Sequence, residues 1–388
     1  MYYFARVFHS NNDEDVKPKF LAVNQERFNP INFGIDYHKE GYDGFACFWL
    51  KDGKWSFSLY NDNGNVDCSA IAKSFGGGGH KGAAGFVIDD INKLNLGKKL
   101  FFDKLLSGDN SQSCATCHNP KNAFTDQQQF SAGIDGKLGT RNVMPLFNLA
   151  WNFDQLFAWD GKDFSLERQA FEPVSNPIEM HSNWKNVAEK LKNHPEYPLL
   201  FSQAFGTVKI DSTLITKAIA QFERTLISGN SKFDKFLRGE ATLTPEEQNG
   251  FDVFMDEAKG DCFHCHGSDN NPLWTDNKFH NNGLDATFTD LGLGAVTGDP
   301  SDNGKFRSPS IRNLAFTAPY MHDGRFTSLD EVINHYSEGL KSSPTLDPLM
   351  KKVNQGGVGL SAKDKADLKS FLLTLSDFDF LNNSAFRE

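Results

Sequence analysis

Two pentapeptides of one pattern, Cys114-Ala-Thr-Cys117-His118 and Cys262-Phe-His-Cys265-His266, constrain this chain more than any other feature of it. In Cys-x-x-Cys-His the two thiols can add to the vinyl groups of one haem while the adjacent imidazole ligates its iron, so the macrocycle dictates the spacing. Two other chemistries use paired cysteines. Zinc ribbons set their pairs roughly 15–20 residues apart and redox dithiols sit in a βαβ setting, whereas these pairs are 148 residues apart and lack that setting. Six cysteines in 388 residues are also too few for a disulfide scaffold. The motifs therefore predict two covalently bound haem c groups, with His118 and His266 as iron ligands.

The spacing leaves about one small domain per motif. Residues 1–90 differ from the rest: aromatic strand-like runs, Gly44 to Leu50 and Lys54 to Tyr60, precede the glycine stretch Gly76 to Gly79 and His80. From Leu94 onward the texture is helical, with long Gly- and Asn-rich loops. Leu214, Ile215, Ala218, Ile219, Phe222 and Leu226 predict one helix over 212–228. Capping boxes at Thr244/Glu247 and Ser328/Glu331, and Ser361 as N-cap, predict three more. Helix, haem motif, loop, helix is the order of a cytochrome c domain. The expected fold is mainly α: two tandem cytochrome c-like haem domains, 91–238 and 239–388, preceded by a small α/β segment, 1–90.

The net charge of −10 disfavours nucleic acid, whose phosphates need clustered Lys and Arg, and suits a basic electron-donor protein. No apolar run approaches the ~18 residues of a membrane span. The N-terminal MYYFARVFHS shows no basic region, apolar stretch or cleavage site of an export signal.

For a distal ligand to the second haem iron, Met321, His322, His335 and Tyr336 are candidates. Leu329, Val332, Ile333 and Tyr336 share a helical face from which His335 is turned by about 100°, so Tyr336 is expected to point inward.

The segments LGKKLFFDKLLS (96–107), SCATCH (113–118), GTRN (139–142), WDGK (159–162), PIEMHS (177–182) and FRSPSIRNLAFTAPYMHDG (306–324) resemble the bacterial dihaem cytochrome c peroxidase and MauG family, in order, over about 91–380. The resemblance implies that haem 1, on His118, meets hydrogen peroxide, and that haem 2, on His266, passes electrons or stores oxidising equivalents. It implies Glu179 as the catalytic acid and base of haem 1 and Trp159 as the relay between the haems. Enzymes of the family that need reductive activation carry a displaceable histidine in the loop matching 131–139. Here Ile134 stands in that register, so haem 1 should be open.

In the same family the position of Tyr336 is Met in electron-accepting peroxidases and Tyr in the MauG type. Met raises a haem potential, whereas tyrosinate favours higher oxidation states of iron. A calcium ion is implied at Asn142, Thr317 and Pro319, the last two through backbone carbonyls. Implied partners are a cytochrome c or cupredoxin-type donor, or an oxidised protein substrate in the MauG case; homodimerisation stays open. The implied location is the periplasm. A six-coordinate dihaem electron carrier is the non-enzymatic alternative.

The run Phe75-Gly-Gly-Gly-Gly-His80-Lys81-Gly-Ala-Ala-Gly85-Phe86 resembles the DHHA1 domain of DHH phosphoesterases, which implies a phosphate cradle of glycine amides with His80 and Lys81. The Asp-His-His metal centre of those enzymes is absent from the sequence, so no phosphoesterase activity is expected. Either two genes are joined here, or this form is not exported and stays without haem; a nucleotide-binding module beside an inactive cytochrome is the fourth reading.

Overall fold

A computed structural model describes residues 2–5, 20–24, 44–51, 54–61, 66–69, 72, 78–81, 83–88 and 91–388 apart from Phe153. They fall into two compact units, Met1–Asn95 and Leu96–Glu388.

In the first unit, strands β1 (Tyr2–Ala5), β2 (Phe20–Asn24), β3 (Gly44–Lys51), β4 (Lys54–Tyr60), β5 (Gly78–His80) and β6 (Ala83–Ile88) form one sheet in the order β1-β2-β3-β4-β6-β5. β2 and β3 run parallel; the other neighbours are antiparallel. Both aromatic runs singled out in the sequence are strands, paired from Phe45↔Tyr60 to Lys51↔Lys54. Cys47 and Leu59 are fully buried, and burial pushes the Cys47 thiol up to about 12. It serves as a small apolar side chain. Of the glycine run, Gly78 and Gly79 pair with β6, and His80 and Lys81 are exposed. Phe75, Gly76, Gly77 and Gly82 lie outside the described residues.

The second unit is helical. Its framework is α1 (Ile91–Phe102), α2 (Cys114–Cys117), α3 (Ser212–Glu223), α4 (Pro245–Met255), α5 (Phe263–His266), α6 (Leu329–Glu338) and α7 (Ala362–Thr374), with shorter helices and a two-stranded ladder, Phe279–His280 with Phe306–Arg307, between them. The expected helix starts are present: Glu247 N donates to Thr244 Oγ1, Glu331 N to Ser328 Oγ and Asp364 N to Ser361 Oγ.

Two helix crossings explain the tandem arrangement. A Cβ on Gly97 of α1 would lie 1.8 Å from the Ala218 carbonyl oxygen of α3, and one on Gly250 of α4 would lie 1.9 Å from that of Asp367 in α7. Only glycine lets the backbones approach so closely. Each crossing involves the helix just upstream of a Cys-x-x-Cys-His turn, so the same packing device frames both motifs in two cytochrome c-like modules. The second core gathers Phe233, Val253, Phe254, Trp274 and Phe371, with Phe233 edge-on to Trp274 at 5.3 Å and 80°.

α3 stops at Glu223, short of the predicted Ser228. Thr225 N and Leu226 N turn back to Phe222 O and Glu223 O. Ser228 then gives its N–H and C=O to the side chain of Asn148. A side chain that satisfies both backbone groups removes the gain from continuing the helix. Leu226 remains fully buried.

Two charged links tie the modules' loops together. Arg141 reaches Asp160 Oδ2 at 2.5 Å and both oxygens of Asp290 at 2.7 and 2.8 Å. Buried Arg312 grips Asp234 through two bonds of 2.9 and 2.6 Å. Among the described residues no helix is long and apolar enough to cross a membrane.

Candidate active site

α2 is a single turn, closed at its start by Ser113 N donating to Thr116 Oγ1 at 3.0 Å. One turn brings Cys114 and Cys117, three apart, to one face, and His118 follows. The His118 Nδ1 lies 3.0 Å from Phe124 O, so Nδ1 carries the proton and Nε2 is left for a metal. The second motif repeats the device: His266 Nδ1 lies 3.2 Å from Pro309 O. Burial lowers both imidazoles, His266 to about 4. Both are neutral at pH 7, as ligands must be.

The thiols point away from redox dithiol chemistry. All four motif cysteines are unpaired. Burial raises Cys114, Cys117 (to about 11) and Cys262 (to about 12), whereas reactive dithiols hold a depressed pKa. Among the described residues no three His, Cys, Asp or Glu side chains are grouped to hold a metal ion.

A cavity of about 220 Å³ opens beside the second motif, lined by Cys262, Cys265 and His266, and also by Trp159, Arg307, Met321 and Tyr336. Tyr336 faces it from α6 as its periodicity requires, and burial pushes its phenol up to about 12. Asn282 Nδ2 donates to Tyr336 Oη at 3.0 Å and lies 3.6 Å from Met321 Sδ. His322 also lines the cavity and stacks on Phe306 at 3.6 Å. His335 is buried as well, but its Nε2 lies 3.2 Å from Asn282 O and its ring packs on Phe326. Of the four distal candidates, three therefore share the cavity and His335 does not.

Trp159 is buried between the motifs' loops. Its Nε1 donates to Asn142 O at 2.8 Å, and its carbonyl accepts from Arg307 N at 2.9 Å. Asn142, Thr317 and Pro319 line the same cavity. Asn142 Nδ2 is committed to Gln128 O at 2.8 Å, which leaves its Oδ1 as the end suited to a hard cation.

Glu179 stands with the first motif, close enough that its charge raises Cys117. It is itself raised, by burial first, against a 2.5 Å hydrogen bond that Asn176 Nδ2 donates to Oε1. The loop of Ile134 is stitched to it: Ile134 N donates to Glu179 O at 2.9 Å.

Three residues had no role in the sequence reading. Asn282 carries no sequence signal. Arg307 lies within a family-like segment but was only part of its text. Glu223, 2% exposed, has Oε2 without a partner and is raised to about 8 by burial; a charged residue on an apolar helix reads as solvated until packing is known.

Residues 91–242 match the family model of the di-haem cytochrome c peroxidases. The methylamine utilization protein MauG of Methylorubrum extorquens is 39% identical over 290 residues, 73% of this chain and 78% of that protein. The cytochrome-c peroxidase IdrP2 of Denitromonas iodatirespirans is 33% identical over 318 residues, 74% of this chain and 82% of the relative. A crystal structure of a MauG-like protein associated with microbial copper homeostasis superposes with a TM-score of 0.69 at 35% identity, covering 76% of this chain and 92% of that one. With paired Cys-x-x-Cys-His turns on glycine-crossed helices and relatives matched over most of their length, this chain belongs to the di-haem cytochrome c peroxidase and MauG family.

Proposed function

We propose that this protein reduces hydrogen peroxide at a haem bound by Cys114, Cys117 and His118, with electrons relayed from a second haem bound by Cys262, Cys265 and His266. The observation that carries the reading is the repeated proximal arrangement: two neutral imidazoles, each oriented through Nδ1 to a backbone carbonyl, each following a pair of free thiols. The residues fit haem c: thioether formation would consume both thiols of each motif, and at the second motif the cavity is lined largely by apolar side chains, as a macrocycle requires. The domain limits 91–238 and 239–388 follow from this reading.

When bound, the haems supply the redox capacity to deliver two electrons, which with two protons convert peroxide to two waters. The protein's part is proton handling and positioning. Glu179 takes the proton of one peroxide oxygen and returns it to the other, which departs as water; its raised pKa keeps the carboxyl near the range where it can do both. Asn176 fixes the carboxyl through Oε1. Ile134, in place of a histidine, offers no ligand from its loop, so a haem held by His118 would stay accessible to peroxide. Trp159, whose ring lines the cavity beside the second motif, is the proposed relay of electrons between the modules.

Asn142, Thr317 and Pro319 supply oxygens for a calcium ion that would stiffen this contact. A small basic cytochrome or cupredoxin is the proposed donor. Covalent haem attachment belongs to the periplasmic side, which is the proposed location. The exposed His80 and Lys81 beside β5 support the DHHA1-like reading of the first unit, which titration with phosphate-bearing ligands would test.

A second reading, a MauG-type oxidase of a protein or organic substrate, is favoured by Tyr336 facing the cavity beside the second motif with Asn282 donating to its oxygen. The test is to express the full chain behind an export signal in a haem-maturing host. Two haems, one high-spin and peroxide-responsive, support the enzyme; two low-spin, unresponsive irons make it a carrier, and no haem overturns both. A Tyr336→Met variant with every spectral feature of the second haem unchanged removes Tyr336 as ligand.

A further inference from the structure

Arg307 is 7% exposed, yet among the described residues no carboxylate answers its charge. Its Nε has no partner. Nη1 meets the neutral Asn277 Oδ1 at 3.2 Å, and Nη2 the thioether of Met144 at 3.6 Å. Burial pulls the guanidinium down to about 10, with no carboxylate to oppose it. The other strongly held arginines differ. Arg312, fully buried, has Asp234; Arg141 has Asp160 and Asp290; Arg325 has Asp285 and Asp323. A buried, unpaired guanidinium costs several kcal/mol of desolvation and persists where an anion completes it.

Among the described residues no acidic side chain pairs with Arg307, and the carboxylate of a bound group would complete it. The site is built rather than incidental: Arg307 lines the cavity of Cys262, Cys265 and His266, and its backbone N–H is fixed to Trp159 O at 2.9 Å. Haem carries two propionate carboxylates, and a guanidinium fork matches a carboxylate in shape and charge.

We propose that Arg307 is the counter-ion of a propionate of the second haem and raises that haem's reduction potential. The inference rests on the haem reading above. Reduction of a haem takes its iron from ferric to ferrous and lowers the group's net charge by one, so a fixed positive charge at its edge would stabilise the reduced form. The backbone N–H of Arg307 donates to the carbonyl of Trp159, the proposed relay, so the charge belongs to a segment joined to that relay and would tune the driving force of electron transfer from the second haem.

The test compares wild type, Arg307→Gln and Arg307→Lys, full-length and haem-loaded, after a haem count. Redox titration followed by absorption, with electron paramagnetic resonance separating the two irons, reads each potential. The expected result is a downward shift at the second haem in R307Q, largely restored in R307K. Unchanged potentials in a two-haem R307Q protein overturn the proposal, as does a shift confined to the first haem or an equal fall in R307K. If R307Q does not mature, the propionate bending band in resonance Raman decides on R307K: a displaced band supports the contact and an unaltered one overturns it. A wild type without haem fails the underlying reading instead.

Discussion

The indole Nε1 of Trp159 donates a 2.8 Å hydrogen bond to the backbone carbonyl oxygen of Asn142. The proposed electron relay and a proposed calcium ligand thus share one bond, and whatever holds Asn142 also holds the ring. Trp159→Phe keeps an aromatic ring but strands a buried carbonyl, which costs about 1–3 kcal/mol. The expected outcome is a lower melting temperature and a fall of about tenfold or more in donor-supported peroxide turnover. Calorimetry and steady-state assay check it. Prolonged chelation with EGTA is expected to lower the same turnover, and added calcium to restore it.

Burial raises the Glu179 carboxyl from its ordinary value. Proton transfer needs its ionised form, so activity is expected to fall with decreasing pH through that raised pKa, at a higher pH than an exposed glutamate would give. Glu179→Gln is expected to remove this acid limb and to lower turnover by roughly 10²–10⁴, with the haem count unchanged. A pH–rate profile of both proteins checks the point.

Glu223 has a folded pKa of about 8 with Oε2 unpartnered. The folded state therefore holds a proton that the unfolded chain loses near 4.3. Stability from this group is present below that unfolded value and is lost as pH rises to about 8. Glu223→Gln is expected to leave the melting temperature nearly unchanged at low pH and to raise stability by about 1–3 kcal/mol above the folded pKa. Thermal melts of the haem-loaded protein at the two extremes measure it.

Asp234 and Arg312 are both buried and paired bidentately. Asp234→Asn leaves an uncompensated buried guanidinium, with an expected loss of about 3–5 kcal/mol. The measurement is urea denaturation, in which the midpoint falls while the haem count stays at two.

The local events were legible in the sequence. The haem turns follow from three residues of two types at fixed spacing, and the starts of α4, α6 and α7 follow from a side chain capping an N–H three residues away. Tyr336 followed from periodicity, because a helix has one apolar face and that face meets the core. The two glycine crossings were in the text as well, but not their meaning: nothing local marks Gly97 for Ala218, 121 positions onward.

Tertiary structure decided the rest. α3 ends early because Asn148, far upstream, takes over the backbone of Ser228. His335 is buried although it lies off the apolar face, because a loop carbonyl, that of Asn282, reaches its Nε2. That Arg307 has no carboxylate partner among the described residues is a fact of packing, which its sequence neighbours do not show. Sequence determines what each residue offers, since capping, periodicity and covalent spacing act over a few bonds; packing determines which offers are left unanswered, since burial and pairing depend on distances between residues far apart in the chain.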